Sequence, residues 1–182
     1  ALFQTVSIAS TTGFASSDFN LWPDFSRYVL LLLMFVGGCS GSTAGGMKVS
    51  RFVILLKVTW AELRRTIHPR MVYSIKMGGR NVPPVVVGNV TRFFYLYMIV
   101  FSALTLLISL TGLSMLDSMG IIAACMSSVG PAFGIVGPTA TYADVSTFGR
   151  LVVIAAMILG RLEIFTLLII MRPDFWRVKR NW

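Results

Sequence analysis

Apolar residues fall into blocks of unequal length along this chain, and the breaks between them are short and rich in Gly, Ser and Pro. Residues 2–9 predict a helix far too short to cross a bilayer, which takes about 20 apolar residues. Residues 19–26, with Trp22-Pro23-Asp24, read as an interfacial turn in which Asp24 or Ser26 caps the next helix. Residues 28–36 are strongly apolar. The helix pattern then collapses into Gly37-Gly38-Cys39-Ser40-Gly41-Ser42-Thr43-Ala44-Gly45-Gly46 and resumes through Phe52, Ile54, Leu55, Leu56 and Trp60. One span broken at membrane depth accounts for this pattern, because irregular backbone is tolerated there only when buried in protein or lining a water cavity. Residues 85–111 predict a complete span. Ser114-Met115-Leu116-Asp117 opens a second short helix over 115–126 as a capping box. Residues 148–171 form the last span.

The pattern repeats. Ser10-Thr11-Thr12-Gly13-Phe14-Ala15 follows the first short helix, and Ser127-Ser128-Val129-Gly130-Pro131-Ala132 follows the second. Downstream, Arg27, Val29, Met34 and Gly37 align with Arg150, Val152, Met157 and Gly160. The chain therefore reads as half-helix, Gly loop and broken span, then a basic connector, then span, half-helix, Gly loop and span. That is one complete span–half-helix–loop–span unit preceded by a unit lacking its first span. Residue 1 enters directly into the first half-helix and no signal peptide is visible, so the expectation is the C-terminal part of a longer protein.

Composition agrees with a membrane setting. Of 182 residues, 55% are hydrophobic and 13% charged, and mean hydropathy is +0.78. The net charge of +9 could suggest nucleic acid, but half of the sixteen Lys and Arg lie between Lys48 and Arg80 and four more follow Met171. Such clusters flanking apolar runs mark the cytoplasmic side, so no nucleic-acid partner is expected. Asp18, Asp24, Asp117 and Asp144 lie near the Gly signatures, which places those outside, with a weakly acidic mouth that attracts cations. Cys39 and Cys125 are expected to be packing thiols without a disulfide.

Two aligned Gly loops suit a cation filter. An ion that sheds its water needs replacement oxygens, and backbone carbonyls supply them without adding net charge. Aiming successive carbonyls one way takes unusual dihedrals, which Gly13 and Gly130 permit. The half-helix before each loop points its negative dipole end at the site. Thr11, Thr12, Ser128 and Val129 would offer the carbonyls for K⁺, flanked by Phe14 and Pro131. The alternative for each Gly is close helix packing alone.

The 37–46 loop reads as a movable constriction inside the filter. A phosphate-binding loop fits poorly, since Met47 stands where its Lys belongs and Val49 where its hydroxyl belongs. No nucleotide is expected on this chain. Arg161, near the middle of the last span, aligns with Gly38, and an Arg at that depth rarely faces lipid. The free carbonyls of the loop are its natural partners, as a static tether or as a latch. Glu163 faces another side of the helix, where Lys48 or Arg51 could partner it. His68 is the only His, and no His/Cys/carboxylate cluster has metal spacing, so catalysis is not expected.

The residues most specific for a family are Phe3-Gln4-Thr5-Val6-Ser7-Ile8-Ala9-Ser10-Thr11-Thr12-Gly13-Phe14, the 37–48 loop, His68-Pro69-Arg70 with Tyr73-Ser74-Ile75-Lys76, and Gly160-Arg161-Leu162-Glu163-Ile164-Phe165-Thr166. In these the chain resembles the TrkH/TrkG subunits of bacterial potassium uptake, within the Trk/Ktr/HKT superfamily. The resemblance implies an all-α membrane protein of K⁺-channel-like span–pore helix–filter loop–span repeats. Here these would be the third repeat without its first span and the complete fourth. It divides the chain into 1–65 (pore helix, filter, broken span), a cytoplasmic connector 66–84, the fourth repeat 85–171 and a basic tail 172–182. It implies K⁺ uptake across the bacterial cytoplasmic (inner) membrane, other repeats of the same longer chain, a homodimer and a TrkA-like cytoplasmic nucleotide-binding ring. It also implies that Gly37, Gly38, Gly41, Ser42, Thr43, Gly45 and Gly46 gate the pathway and that Arg161 contacts them. The alternatives are a Na⁺-coupled Ktr-type transporter, a membrane enzyme acting on lipid-linked substrates, and a non-conducting fragment or scaffold.

Overall fold

The computed structural model describes residues 1–68 and 74–161. Six helices follow one another: α1 (Leu2–Ala9), α2 (Asp24–Phe35), α3 (Val49–Ile67), α4 (Pro84–Ser109), α5 (Met115–Met126) and α6 (Thr147–Arg161). Among the described residues, α4 is the one helix long and apolar enough to cross a membrane by length and composition. It starts at Pro84, where the missing N–H has no intrahelical bond to lose. Ser114 caps α5 by accepting from the Asp117 amide at 3.1 Å.

Helix α5 sits at the centre. Helices α2, α4 and α6 pack around it. Ser118 and every residue from Gly120 to Met126 are buried, so α5 is apolar on all sides. Helix α1 packs on α2 and buries only Gln4, Ser7 and Ile8. Phe35 stacks edge-on against Tyr97 and Phe101, and Phe19 against Phe133. Outer faces stay apolar and exposed, with Leu106 68%, Leu110 76% and Leu151 62% accessible, as suits lipid or further protein rather than water.

Five features differ from the sequence reading. Neither Asp24 nor Ser26 caps α2; Pro23 is the cap residue, and Asp24 lies in the first turn, 3.2 Å from Arg27. The break in the span is closed by a two-residue parallel ladder, β1 (Val36–Gly37) with β2 (Met47–Lys48), so the strand ends satisfy one another. Helix α3 runs on to Ile67, with Arg64 and Arg65 complementing its C-terminal dipole. The connector holds a hairpin, β3 (Lys76–Met77) with β4 (Arg80–Asn81), turned by Gly78 and Gly79 at φ +56° and +80°, as a type I′ turn requires. Both cysteines are free; Cys125 is buried, whereas Cys39 is exposed in the 38–46 loop rather than packed. Glu163, Pro69, Arg70, Tyr73 and the last span beyond Arg161 lie outside the described residues.

Candidate ion filter and the loop beneath it

The two Gly signatures share one backbone geometry. Thr11 and Gly13 have φ of +54° and +79°; Ser128 and Gly130, in the same places of the second loop, have +56° and +102°. Hydrogen bonds repeat too. The Thr12 amide donates to Ser7 O, and the Val129 amide to Ala124 O, both at 2.9 Å. Left-handed dihedrals on Thr and Ser cost on the order of 1–3 kcal/mol each and persist only where the surroundings over-determine them. Sequence reasoning assigned the unusual dihedrals to the glycines and missed Thr11 and Ser128, because nothing in a Thr or Ser announces a left-handed backbone. Alternating left-handed and ordinary residues lets successive carbonyls share a side, whereas in a strand they alternate.

The loops touch each other. A side chain on Gly13 would fall on the Val129 carbonyl oxygen and lie 3.2 Å from Cδ of Pro131, while the corresponding space at Gly130 is open. Thr12, Phe14 and Ser128 are exposed and Val129 is buried. Asn20 joins the units further out: its Nδ2 donates to Gly134 O at 3.2 Å, and the Gly134 amide donates to its Oδ1 at 3.0 Å.

Each loop is also held from behind, by different means. Ser7 Oγ, on α1, donates to the Phe14 carbonyl at 2.7 Å. In the second loop the Tyr142 hydroxyl donates to the Gly130 carbonyl at 2.6 Å, with Cys125 Sγ 3.4 Å from the same hydroxyl. Burial first, and the neighbouring thiol next, push the Tyr142 hydroxyl well above the ordinary phenol range, so it stays a donor.

The 38–46 loop lies under both signatures. The Gly45 amide donates to Thr11 Oγ1 at 3.3 Å, and a side chain on Gly45 would strike the Ser127 carbonyl oxygen. Gly46, at φ +68°, passes Ser127 Oγ. Gly37 is buried, with no room beside the Gly45 carbonyl; Gly38 faces Ser42 and Ala44; Gly41 turns at φ +86° in open space. Two cations take three successive loop carbonyls. Lys48 Nζ donates to Ser42 O at 2.6 Å and Ala44 O at 2.8 Å, and Arg161 donates to Thr43 O at 2.7 Å. Lys48, one of the two partners the sequence offered Glu163, is thus engaged with the loop, while Arg51, the other, lies over the Phe93 ring at 4.2 Å. A cavity of about 340 Å³ opens beside the loop, lined by Tyr97, Phe93 and Arg161 among others. No group of three or more His, Cys, Asp or Glu able to hold a metal occurs among the described residues.

Two related helical units with strained Gly loops meeting at one point describe a membrane transport protein. The comparisons with known proteins carry this to a family. The family model TrkH, described as a cation transport protein, matches residues 1–177. The chain is similar to the Trk system potassium uptake protein TrkH of Vibrio parahaemolyticus, with 46% identity over 97% of this chain and 36% of that protein. It is 41% identical to TrkH of Escherichia coli and 35% to TrkG of the same species, again over 97% of this chain and 36% of each relative. The crystal structure of the potassium transporter TrkH from Vibrio parahaemolyticus superposes with a TM-score of 0.87 at 45% identity, covering 97% of this chain and 37% of that one. The chain belongs to the TrkH family of cation transport proteins, whose members are transporters and not enzymes. It spans about a third of the length of these relatives.

Proposed function

We propose that this chain is the C-terminal part of a bacterial potassium uptake subunit, containing the third pore unit without its first span and the complete fourth. The observation that carries the reading is the repeated backbone of the two signatures, with left-handed Thr11 and Gly13 matched by Ser128 and Gly130. Carbonyls of Thr11, Thr12, Ser128 and Val129 would replace the hydration shell of K⁺, with Phe14 and Pro131 at the outer edge. The relatives named as potassium uptake proteins support K⁺ as the ion.

The 38–46 loop is the gate in this reading. It occupies the space directly inside the filter, and Arg161 and Lys48 hold its carbonyls. Releasing Arg161 frees the loop from α6. The bilayer is the bacterial inner membrane, with the basic connector on the cytoplasmic side. Other pore units of the same longer chain complete the filter ring, and a second copy and a TrkA-like nucleotide-binding ring complete the uptake system.

The test is K⁺-limited growth of uptake-deficient bacteria expressing the full-length gene, wild type beside Gly13→Ser at equal membrane expression. Wild type restores growth at low K⁺ and the variant does not. Failure of wild type with its ring partner co-expressed would remove K⁺ uptake as the function.

A further inference from the structure

The second filter loop lacks the helix hydroxyl that holds the first, and an unassigned side chain replaces it. Ser7 stands on α1 at the place where α5 carries Ala124, so α1 supplies a hydroxyl to its own loop and α5 does not. Gly13 is wedged against the Val129 carbonyl, whereas nothing lies within 4 Å of a side chain built on Gly130. A Gly at φ +102° with open space beside it has other wells within reach. The contact that holds its carbonyl comes from Tyr142, in the short 3-10 turn Tyr142–Asp144 that precedes α6.

From this geometry we infer that Tyr142 is a positioning residue for ion selectivity, its hydroxyl fixing the Gly130 carbonyl and thereby the aim of the Ser128 and Val129 carbonyls. A tyrosine hydroxyl has one proton, and a carbonyl only accepts. With that proton on the Gly130 oxygen, the Cys125 thiol is the donor at 3.4 Å, giving a short chain from thiol to hydroxyl to carbonyl. Each bond in such a chain polarises the next. The hydroxyl meets the loop at the Gly130 carbonyl, so it acts on the aim of the loop backbone and thereby on which ion passes. The inference rests on the filter reading proposed above.

The experiment reconstitutes the full-length protein in liposomes and measures K⁺ against Na⁺ flux per amount of protein. Tyr142→Phe keeps the ring and removes the hydroxyl. Its K⁺/Na⁺ flux ratio falls roughly fivefold, the factor expected from losing one hydrogen bond of ordinary net strength, with K⁺ flux largely retained. Cys125→Ala, which keeps the hydroxyl and removes its donor, lowers the ratio by less. An unchanged ratio in Tyr142→Phe, or lower flux of both ions in proportion, overturns the inference. Should that variant not be recovered from the membrane, an unchanged ratio in Cys125→Ala does the same. A wild-type protein that passes no K⁺ overturns the filter reading itself, and this inference with it.

Discussion

The first and second signatures have the same backbone and opposite supports. The first is held by steric exclusion, the Val129 carbonyl and Pro131 filling the space beside Gly13, and by the Ser7 hydroxyl on the Phe14 carbonyl. The second is held by a hydrogen bond from the turn before α6, Tyr142 to Gly130. The short helices that lead into them differ in parallel. Helix α5 is enclosed by α2, α4 and α6, while α1 rests on α2 alone among the helices it meets broadly. One geometry has thus been reached by two local solutions. The dihedrals are what the site demands, and the means of enforcing them are free to vary.

Serine scanning of the two glycines should break this comparison first. Gly13→Ser lowers K⁺ over Na⁺ discrimination about a hundredfold, because left-handed strain adds to displacement of a neighbouring carbonyl. Gly130→Ser carries the strain alone and costs about tenfold. Flux ratios in liposomes decide the order, and equal losses would mean that another part of the longer protein fills the space beside Gly130. Next in size is Gly45→Ala. Its methyl strikes the Ser127 carbonyl below the second signature while leaving the amide bond to Thr11 below the first. Unseating the loop raises basal K⁺ flux about tenfold without the regulatory ring, the shift produced by roughly 1.4 kcal/mol against the closed position. Unchanged basal flux would mean that the loop is not the barrier. The smallest effect is that of Ser7→Ala, which frees the Phe14 carbonyl but leaves Gly13 wedged. The flux ratio falls about twofold, less than in Tyr142→Phe; a larger fall would show that the wedge does not hold the first loop.

Much of this architecture was legible in the chain because it is local. The bounds of α1 and α5, the Ser114 cap and the Gly-rich interruption all follow from runs, caps and breakers within a few residues. What escaped was non-local or conformational. The β1–β2 ladder pairs Val36 with Met47 across a loop, and two-residue strands have no period to detect. The β3–β4 hairpin carried a Gly78-Gly79 turn signal, but its strands are exposed and charged rather than alternating. Pro23 displaced Asp24 from the cap position, because its fixed φ already suits a helix entry. Asn20 and Tyr142 lie in segments whose composition says only "turn". Their partners, Gly134 and Gly130, become neighbours only after folding. Arg161 was the exception, a distant partner placed beside the loop from cost alone, since a cation at that depth requires acceptors.

The ladder at the base of the 38–46 loop has a mechanical consequence. Val36 lies against Met47 and Gly37 against Lys48, so the two ends of the excursion are stitched together at its base. In the proposed gating role, a loop mounted this way would behave like a tongue on a fixed frame. Once Lys48 and Arg161 release its carbonyls, it could swing without dragging α2 or α3, because only small residues have to move. Motions of that scale belong to loops, on nanoseconds to microseconds, rather than to whole helices. Under the gating proposal, opening and closing would leave the surrounding helices in place.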